Sequence, residues 1–207
     1  MQTELFGVGP RALVDDSTGS IAYTPDAIDP ATAAAWFQML LEDVDWRSER
    51  RWMYDRKVDV PRLVAGYRFD HDGVPEPLQQ ARAIVADAAG VEFNTVGLNL
   101  YRDGRDSVAP HNDHIDEIRE GFPIALLSLG ATRLMTIRSK ARPRRVYDIE
   151  LEPGSLLVMS YETQFRYDHG IPKTAAQVGS RISLAFRVRP SELTRAEKGR
   201  ARELPGA

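Results

Sequence analysis

Cysteine is absent from this chain of 207 residues. Its absence excludes a disulfide framework, a thiolate metal ligand and a cysteine nucleophile. A metal site would therefore have to use histidine, aspartate or glutamate side chains. Histidine is itself scarce, because the chain contains only four, namely His71, His111, His114 and His169.

Long apolar runs and a general excess of positive charge are also missing. No stretch approaches the length of a membrane-spanning helix, and residues 1–10 lack the basic start and apolar stretch of a secretory signal. We therefore expect a cytoplasmic protein with no membrane segment. The formal net charge of −3 argues against a uniformly basic surface. Two local basic clusters, within 47–57 and 138–145, can still contact phosphates or lie as solvated surfaces.

Size and composition indicate one globular domain. Hydrophobic residues make up 43% and charged residues 28% of the chain, as in ordinary globular proteins. We assign residues 1–190 to a single domain, in which 1–93 form a helical and substrate-recognition part and 94–190 form the β-rich core. Residues 191–207 are interpreted as a charged tail.

Two helices are predicted in the first half of the chain. Asp29 is a suitable N-cap, and Pro30 suits the first helical position that follows it. Apolar residues within 36–44 then recur at helical spacing, as expected for a helix with one buried face. A second helix should follow Pro75 and Pro77 and stop near Gly90.

Short strands separated by turns dominate the chain from Thr95 onward. This pattern is typical of an antiparallel sandwich or barrel, so we predict a mainly β (α+β) fold with flanking helices. Residues 1–28, in contrast, are rich in turn formers and are expected to be irregular, apart from an extended piece at 21–23. The predicted strands are 95–101, 124–129, 133–138, 145–151, 155–159, 164–168 and 181–188.

A candidate metal site is formed by His111 and Asp113, two residues apart in an extended segment. Side chains at positions i and i+2 of a strand point the same way, so both can reach one ion. His169 ends a later strand and can supply a third ligand. Two histidines and one carboxylate on one side of a metal form the facial triad of non-haem Fe(II) oxygenases. His114 points to the other face, and His71 lies in a polar turn.

The segment 181–188 alternates between an apolar and a polar face. Two arginines joined by small residues on the polar face suggest a cavity that takes a carboxylate, because a buried guanidinium without such a partner is costly. On strand 95–101, Asn99 and Tyr101 share one face and can donate further hydrogen bonds. The apolar face is Ile182, Leu184, Phe186 and Val188, and the polar face is Arg181, Ser183, Ala185 and Arg187.

Ordered motifs in 94–190 resemble the AlkB family of Fe(II)- and 2-oxoglutarate-dependent dioxygenases. The spacing from His169 to Arg181 is similar to that of the family's animal DNA-repair branch. The motifs are NLYRDG at 99–104, HND at 111–113, SLG at 128–130, GSLLVM at 154–159, HGIP at 169–172 and RISLAFR at 181–187.

This resemblance implies a double-stranded β-helix, or jelly roll, with Fe(II) held by His111, Asp113 and His169. It implies that 2-oxoglutarate binds the iron and places its far carboxylate on Arg181. The implied reaction converts O2 and 2-oxoglutarate to succinate and CO2, and hydroxylates an N-methyl group that then leaves as formaldehyde. The remaining cosubstrate residues are Asn99, Tyr101, Ser183 and Arg187.

Resemblance in the N-terminal half concerns the substrate. The segment of Arg62 and Tyr67 resembles the family's stretch ahead of its substrate loop. Met53 and Tyr54 fall where the DNA-repair branch carries an apolar wedge that fills the gap left by a flipped base. They can equally belong to the core. Either Tyr67 or Phe69 could stack on a base opposite the iron site.

Several positions depart from the family pattern and leave the substrate open. The loop 67–73 is shorter and more polar than the family's base-recognition loop. His114 replaces an acidic residue, and Ala185 stands where a threonine is common. We therefore expect an enzyme that demethylates alkylated bases in DNA or RNA, acting as a monomer without an obligate protein partner. The alternatives are the same chemistry on a protein, lipid or small molecule, and a non-catalytic metal- or nucleic-acid-binding module.

Overall fold

A computed structural model describes residues 9–53 and 56–190, with backbone alone at 50–53 and 56–59. The helices are α1 (Pro30–Asp43), α2 (Glu76–Ala89) and α3 (Thr163–Arg166), and a 3-10 turn covers Ile115–Glu117. The strands are β1 (Arg11–Asp16), β2 (Gly19–Thr24), β3 (Arg47–Met53), β4 (Arg56–Arg68), β5 (Thr95–Tyr101), β6 (Val108–His111), β7 (Ile124–Gly130), β8 (Arg133–Ser139), β9 (Val146–Leu151), β10 (Leu156–Met159), β11 (Tyr167–Ile171) and β12 (Arg181–Arg187).

Two antiparallel sheets form the body of the protein. The larger sheet has eight strands in the order β1-β2-β10-β7-β12-β5-β4-β3, and the smaller has four in the order β6-β11-β8-β9. This is the predicted antiparallel architecture, a jelly roll closed by two sheets. The larger sheet therefore offers one face to the smaller sheet and another to the helices.

Each face of the larger sheet has its own apolar cluster, and β12 contributes to both. Ile182, Leu184 and Phe186 are buried with α1 and α2, whereas Ala185 is buried in the cluster between the sheets. The alternation predicted for this strand is confirmed. The face between the sheets, called the inner face below, is also the one that carries Arg187.

Capping residues set the helix ends where the sequence predicts them. Asp29 accepts hydrogen bonds from the backbone N–H groups of Ala31 and Thr32, both at 3.0 Å, and Pro30 is the first helical residue. Gly90 ends α2 with a φ of 65°, a left-handed conformation that glycine adopts at little cost. Both helices pack against the larger sheet through their buried faces.

Three parts of the chain differ from the sequence-based expectations. The extended piece predicted at 21–23 is confirmed as part of β2, but the irregular structure predicted around it is wrong, because 11–24 form the β1–β2 hairpin. The expected strand at 164–168 is instead α3 followed by β11. The N-terminal part contains a second hairpin, β3–β4, in addition to its helices. The expected tail at 191–207 lies outside the described residues. No helix among those described is long and apolar enough to span a membrane.

Candidate active site

Pairing between β6 and β11 brings the two candidate histidine ligands together. His111 lies directly opposite His169 in the register of these strands, and their ring centroids are 4.5 Å apart. Asp113, just past the end of β6, turns back so that its Oδ1 lies 3.8 Å from Nε2 of His111. Ligand atoms of the three residues all lie within 4.8 Å of one another. The sequence-predicted triad is therefore a spatial cluster.

Asp113 is held from two directions. Arg187 donates to its Oδ2 from Nε at 2.9 Å and from Nη2 at 2.7 Å. The side-chain oxygen of Gln164 accepts the backbone N–H of Asp113 at 3.0 Å, in a buried position. Because Arg187 donates to Oδ2, the other carboxylate oxygen, Oδ1, faces His111. Partners of this kind orient a metal ligand and fix which atom it offers.

The electrostatics keep Asp113 and His169 in metal-binding protonation states. Burial alone would raise the pKa of Asp113, but Arg187 and the neighbouring histidines hold it below its ordinary value. Burial, helped by His111, lowers the pKa of His169 to about 4, so its imidazole is neutral at pH 7. His111 Nδ1 lies 3.0 Å from the carbonyl oxygen of Ala109. A proton on Nδ1 would be donated there and would leave Nε2 for a metal.

The donor set fits Fe(II). Two imidazoles and one carboxylate supply three ligand groups and leave coordination positions open for further ligands. No thiolate competes, since the chain has no cysteine. His111, Asp113 and His169 are the residues that would hold this metal.

Arg181 is fully buried on the inner face and indicates where an anion binds. Its Nη2 donates to Ser128 Oγ at 2.8 Å, while Nε and Nη1 have no hydrogen-bond partner among the described residues. Burial lowers its pKa to about 10, which still leaves it charged at neutral pH. The Tyr101 ring lies 5.4 Å from this guanidinium. A buried cation with two unused donors fits the far carboxylate of 2-oxoglutarate.

Strand register places the other predicted cosubstrate residues beside Arg181. Tyr101 pairs with Arg181 across β5 and β12, and Ser183 pairs with Asn99. Burial raises the pKa of Tyr101, so its hydroxyl remains a donor. Tyr101, Asn99, Ser183 and Arg181 thus line one strip of the inner face, and Arg187 ends that strip next to Asp113. Their roles in binding remain predictions.

Arg62, predicted from the resemblance to contact substrate, lies against Asn99. Its Nε donates to Asn99 Oδ1 at 2.7 Å, and Nη1 reaches the carbonyl of Ser107 at 3.5 Å. Asn99 can then offer its amide nitrogen to a bound carboxylate, because its oxygen is already occupied. The structure therefore associates Arg62 with the cosubstrate strip.

Phe69 and Tyr67 do not lie on the inner face. Phe69 stacks on Phe186 with centroids 6.3 Å apart, and Arg82 of α2 covers it at 4.8 Å. Tyr67 pairs with Val96 and, like Phe69, packs against the helix-side cluster. Alternation along β4 and just past its end directs both rings to that side of the sheet. Which of the two residues, if either, stacks on a base stays a prediction.

The predicted wedge residues cannot be placed. Met53 is the last residue of β3, but its side chain and all of Tyr54 lie outside the described residues.

Two contacts at the site could not be predicted from the sequence, although Lys140 belongs to the basic cluster at 138–145. Gln164 supports the backbone of Asp113 from α3, a helix of one turn. Lys140 donates to Asn112 Oδ1 at 2.9 Å and lies 3.4 Å from Asp168. Residue type and local sequence do not indicate that this glutamine and this lysine contact the metal-binding segments. Only the positions of their partners in the fold show it.

Comparison with known proteins agrees with this geometry. The 2OG-Fe(II) oxygenase superfamily matches residues 20–187. The chain is 31% identical over 203 residues to alpha-ketoglutarate-dependent dioxygenase alkB homolog 3 of Bos taurus, covering 89% of this chain and 71% of that protein. It is 34% identical over 137 residues to DNA oxidative demethylase ALKBH2 of Mus musculus, covering 59% of this chain and 57% of that protein.

Solved structures support the same fold. OsALKBH1 matches with a TM-score of 0.61 at 12% identity, over 86% of this chain and 100% of that chain. A prolyl-4-hydroxylase of Pseudomonas putida matches with a TM-score of 0.56 at 14% identity, over 84% of this chain and 95% of that chain. The superfamily match includes the candidate metal ligands and both inner-face arginines, Arg181 and Arg187. This chain is therefore a member of the 2OG-Fe(II) oxygenase superfamily and, within it, of the AlkB family.

Proposed function

We propose that this enzyme removes alkyl groups from the nitrogen atoms of nucleobases in DNA or RNA. The oxygenase chemistry follows from the family, and the nucleic-acid substrate is supported by relatives that are named DNA oxidative demethylases. The observation that carries the proposal is the position of a basic segment beside the metal cluster.

That segment begins at Lys140, whose ammonium group contacts the Gln164 carbonyl oxygen at 3.1 Å and two residues that lie next to metal ligands. Asn112 stands between His111 and Asp113, and Asp168 immediately precedes His169. The chain then continues through exposed arginines at 142 and 144. Phosphates of a bound strand would meet this segment while a base is presented to the metal. The basic cluster predicted from sequence at 138–145 is thus well placed for a backbone contact.

The protein's own residues would position the reactants. Iron held by His111, Asp113 and His169 would, with 2-oxoglutarate and O2, supply the oxidant for hydroxylation of the alkyl carbon, after which an aldehyde would leave. Arg181 would bind the far carboxylate of 2-oxoglutarate, and Asn99 and Tyr101 would donate to the same molecule. Arg187 and Gln164 keep Asp113 in its ligating position. Holding reactants in this way is the larger part of the catalytic contribution expected from the protein.

A second candidate is the same reaction on a protein, lipid or small molecule. The segment 68–73 favours it, because this segment is short and Arg68 is occupied with Asp70 at 2.9 Å. A loop of this kind offers fewer aromatic surfaces for a base than one rich in tyrosine and phenylalanine.

The two candidates are separated by a substrate panel. The enzyme is incubated with Fe(II), 2-oxoglutarate, ascorbate and oligonucleotides that carry N1-methyladenine or N3-methylcytosine, as single- and double-stranded DNA and RNA. Loss of the methyl group with matching release of formaldehyde is expected on at least one of them. Turnover of 2-oxoglutarate without loss of any methyl mark, together with no salt-sensitive oligonucleotide binding, would reject the nucleic-acid proposal.

A further inference from the structure

Two glycines face each other in the middle of the larger sheet. Gly66 of β4 pairs directly with Gly97 of β5, and Gly97 in turn pairs with Ala185 of β12. Three neighbouring strands therefore carry a row with almost no side chain, on the inner face. Glycine in a strand interior lowers stability, so such a row needs a reason.

The local backbone provides no such reason. The pairing of β4 with β5 runs without a register shift from Leu63 to Arg68, so neither glycine forms a bulge. Neither has a positive φ. A Cβ on Gly66 would approach nothing closer than the Val96 carbonyl oxygen at 3.6 Å, and one on Gly97 nothing closer than Arg187 Nη1 at 3.4 Å. Glycine at position 97 leaves room for the Arg187 guanidinium, whereas no neighbour explains glycine at position 66, where close approach of a ligand would.

A cavity of about 480 Å³ is lined by the two glycines of this row, Gly66 and Gly97. Its volume is within the range of pockets that bind small organic molecules. Arg187 forms one wall of the cavity and also donates to Asp113. Only the Arg187 guanidinium therefore separates a molecule in the cavity from this candidate metal ligand. His71 and Asp72 stand at the rim and can donate and accept hydrogen bonds.

The charges around the cavity favour a flat ring over a phosphate. Three arginines line it, and each is already paired with a carboxylate. The pairs are Arg187 with Asp113 at 2.7 Å, Arg68 with Asp70 at 2.9 Å, and Arg189 with Glu117 at 2.9 Å. A phosphate would have to compete with these carboxylates. A planar ring instead stacks on guanidinium groups and on the bare peptide surface of the glycines.

We propose that the Gly66–Gly97 pair is the floor of the pocket that receives the alkylated base. This rests on the proposed function and adds the residues that determine the size of the base site. Of the two aromatic residues that the sequence pointed to, Phe69 packs on the helix side and does not line the cavity, whereas Tyr67 lines it and also packs against the helix-side cluster. The base is recognised by flatness and size, with polar contacts from the rim.

The test introduces a side chain into the cavity at Gly66. Gly66→Leu places a side chain in the pocket without touching Arg187, and Gly66→Ala gives a smaller step. Gly9→Leu is the matched control, since a Cβ there meets nothing within 4 Å and the residue precedes β1, at the far edge of the sheet. We expect Gly66→Leu to lower kcat/KM for the methylated oligonucleotide by about tenfold or more, with Gly66→Ala in between.

Two further measurements separate a filled pocket from a damaged protein. Affinities for Co(II) and for 2-oxoglutarate, measured by calorimetry, should stay within about twofold of the unmodified enzyme. Saturation-transfer NMR with 1-methyladenosine should show binding to the unmodified enzyme and none to Gly66→Leu. Unchanged kcat/KM and unchanged nucleoside binding in Gly66→Leu would overturn the pocket while leaving the demethylase function intact. An unmodified enzyme that neither turns over nor binds any methylated base would overturn both.

Discussion

Arg187 binds one oxygen of Asp113, Oδ2, through both Nε and Nη2, at 2.9 and 2.7 Å. A single strand position thereby connects the metal ligand to the cosubstrate strip, because Arg187 lies six residues along β12 from the buried Arg181. The same guanidinium walls the glycine-floored cavity. The candidate metal site, the predicted cosubstrate strip and the proposed base pocket therefore share one residue, and substitutions around it should separate their contributions.

Replacing Asp113 by alanine should abolish metal binding and with it the decarboxylation of 2-oxoglutarate. The two histidines alone supply too few ligands to hold Fe(II) in a facial arrangement. Calorimetric titration with Co(II) and release of CO2 from 2-oxoglutarate provide the readouts. Asp116→Ala, an exposed acidic residue on the following turn, is the control and should behave as the unmodified enzyme. Normal turnover in Asp113→Ala would refute the assigned iron site.

Replacing Arg187 by lysine should weaken metal binding without unfolding the protein. A lysine keeps the positive charge but cannot hold one carboxylate oxygen with two fixed N–H groups. We expect the Kd for Co(II) to rise by about 10-fold to 100-fold, as is usual when the partner of a metal ligand is removed. Arg119→Lys, at an exposed arginine, should leave it unchanged. An unaltered Kd in Arg187→Lys would mean that the contact does not orient Asp113.

Arg62 and Asn99 should act together in binding 2-oxoglutarate. Arg62→Lys is expected to raise the Kd for 2-oxoglutarate, because Asn99 is then free to rotate its amide. A double-mutant cycle with Asn99→Ala should give a coupling free energy of about 0.5–3 kcal/mol. Oligonucleotide affinity, measured in parallel, should change little. Strict additivity, or a loss confined to oligonucleotide binding, would return Arg62 to the role of a substrate contact.

Arg133 should matter for stability rather than for chemistry. It is buried and donates to three backbone carbonyls, those of Asp103, Asp106 and Pro172, at 2.9, 3.0 and 2.8 Å. Arg133→Met leaves these acceptors unsatisfied and should lower the free energy of unfolding by about 3 kcal/mol. Urea unfolding measures this. Arg138→Met, an exposed arginine on the same strand, should cost less than about 0.5 kcal/mol. Equal losses in the two variants would contradict a specific role for Arg133.

The basic segment should contribute affinity but little base specificity. Replacing Lys140, Arg142 and Arg144 by glutamine should weaken oligonucleotide binding. It should also make the binding constant less dependent on salt concentration. Each phosphate that these side chains no longer neutralise should reduce the slope of log K against log salt by about 0.9 for duplex DNA and about 0.7 for single strands. Fluorescence anisotropy over a range of salt concentrations gives this slope. Weaker binding with an unchanged slope would place these residues away from the phosphates.

Local pattern was sufficient for the elements whose side chains alternate or cap. Strand β5 coincides with the predicted 95–101, and Asp29 and Gly90 mark helix ends as expected. Alternation in 181–188 predicted that Arg181 and Arg187 share a face, since the two-residue period of a strand depends only on backbone geometry. The family resemblance added which residues should hold the iron.

Pattern failed where pairing between distant segments decides the structure. Strand β3 has a charged sequence, Arg-Ser-Glu-Arg-Arg-Trp-Met, and pairs with β4 through backbone hydrogen bonds that no side-chain period reports. The side of the sheet that Tyr67 and Phe69 face is set by which residues of β4 point to each face. That assignment depends on strand register and not on residue type. Alternation alone could not say which side of the sheet faces the metal.

The sequence by itself determined the chemistry that the chain can offer: two histidines and an aspartate as metal ligands in the absence of cysteine, and two arginines on one face of a strand. Only the tertiary structure decided what these groups meet. It set His111 opposite His169, put Oδ2 of Asp113 on Arg187, and aligned Gly66 with Gly97 beneath a cavity. The reason is physical, because side-chain type and spacing are local properties, whereas contact across strands depends on register and on the packing of both sheets.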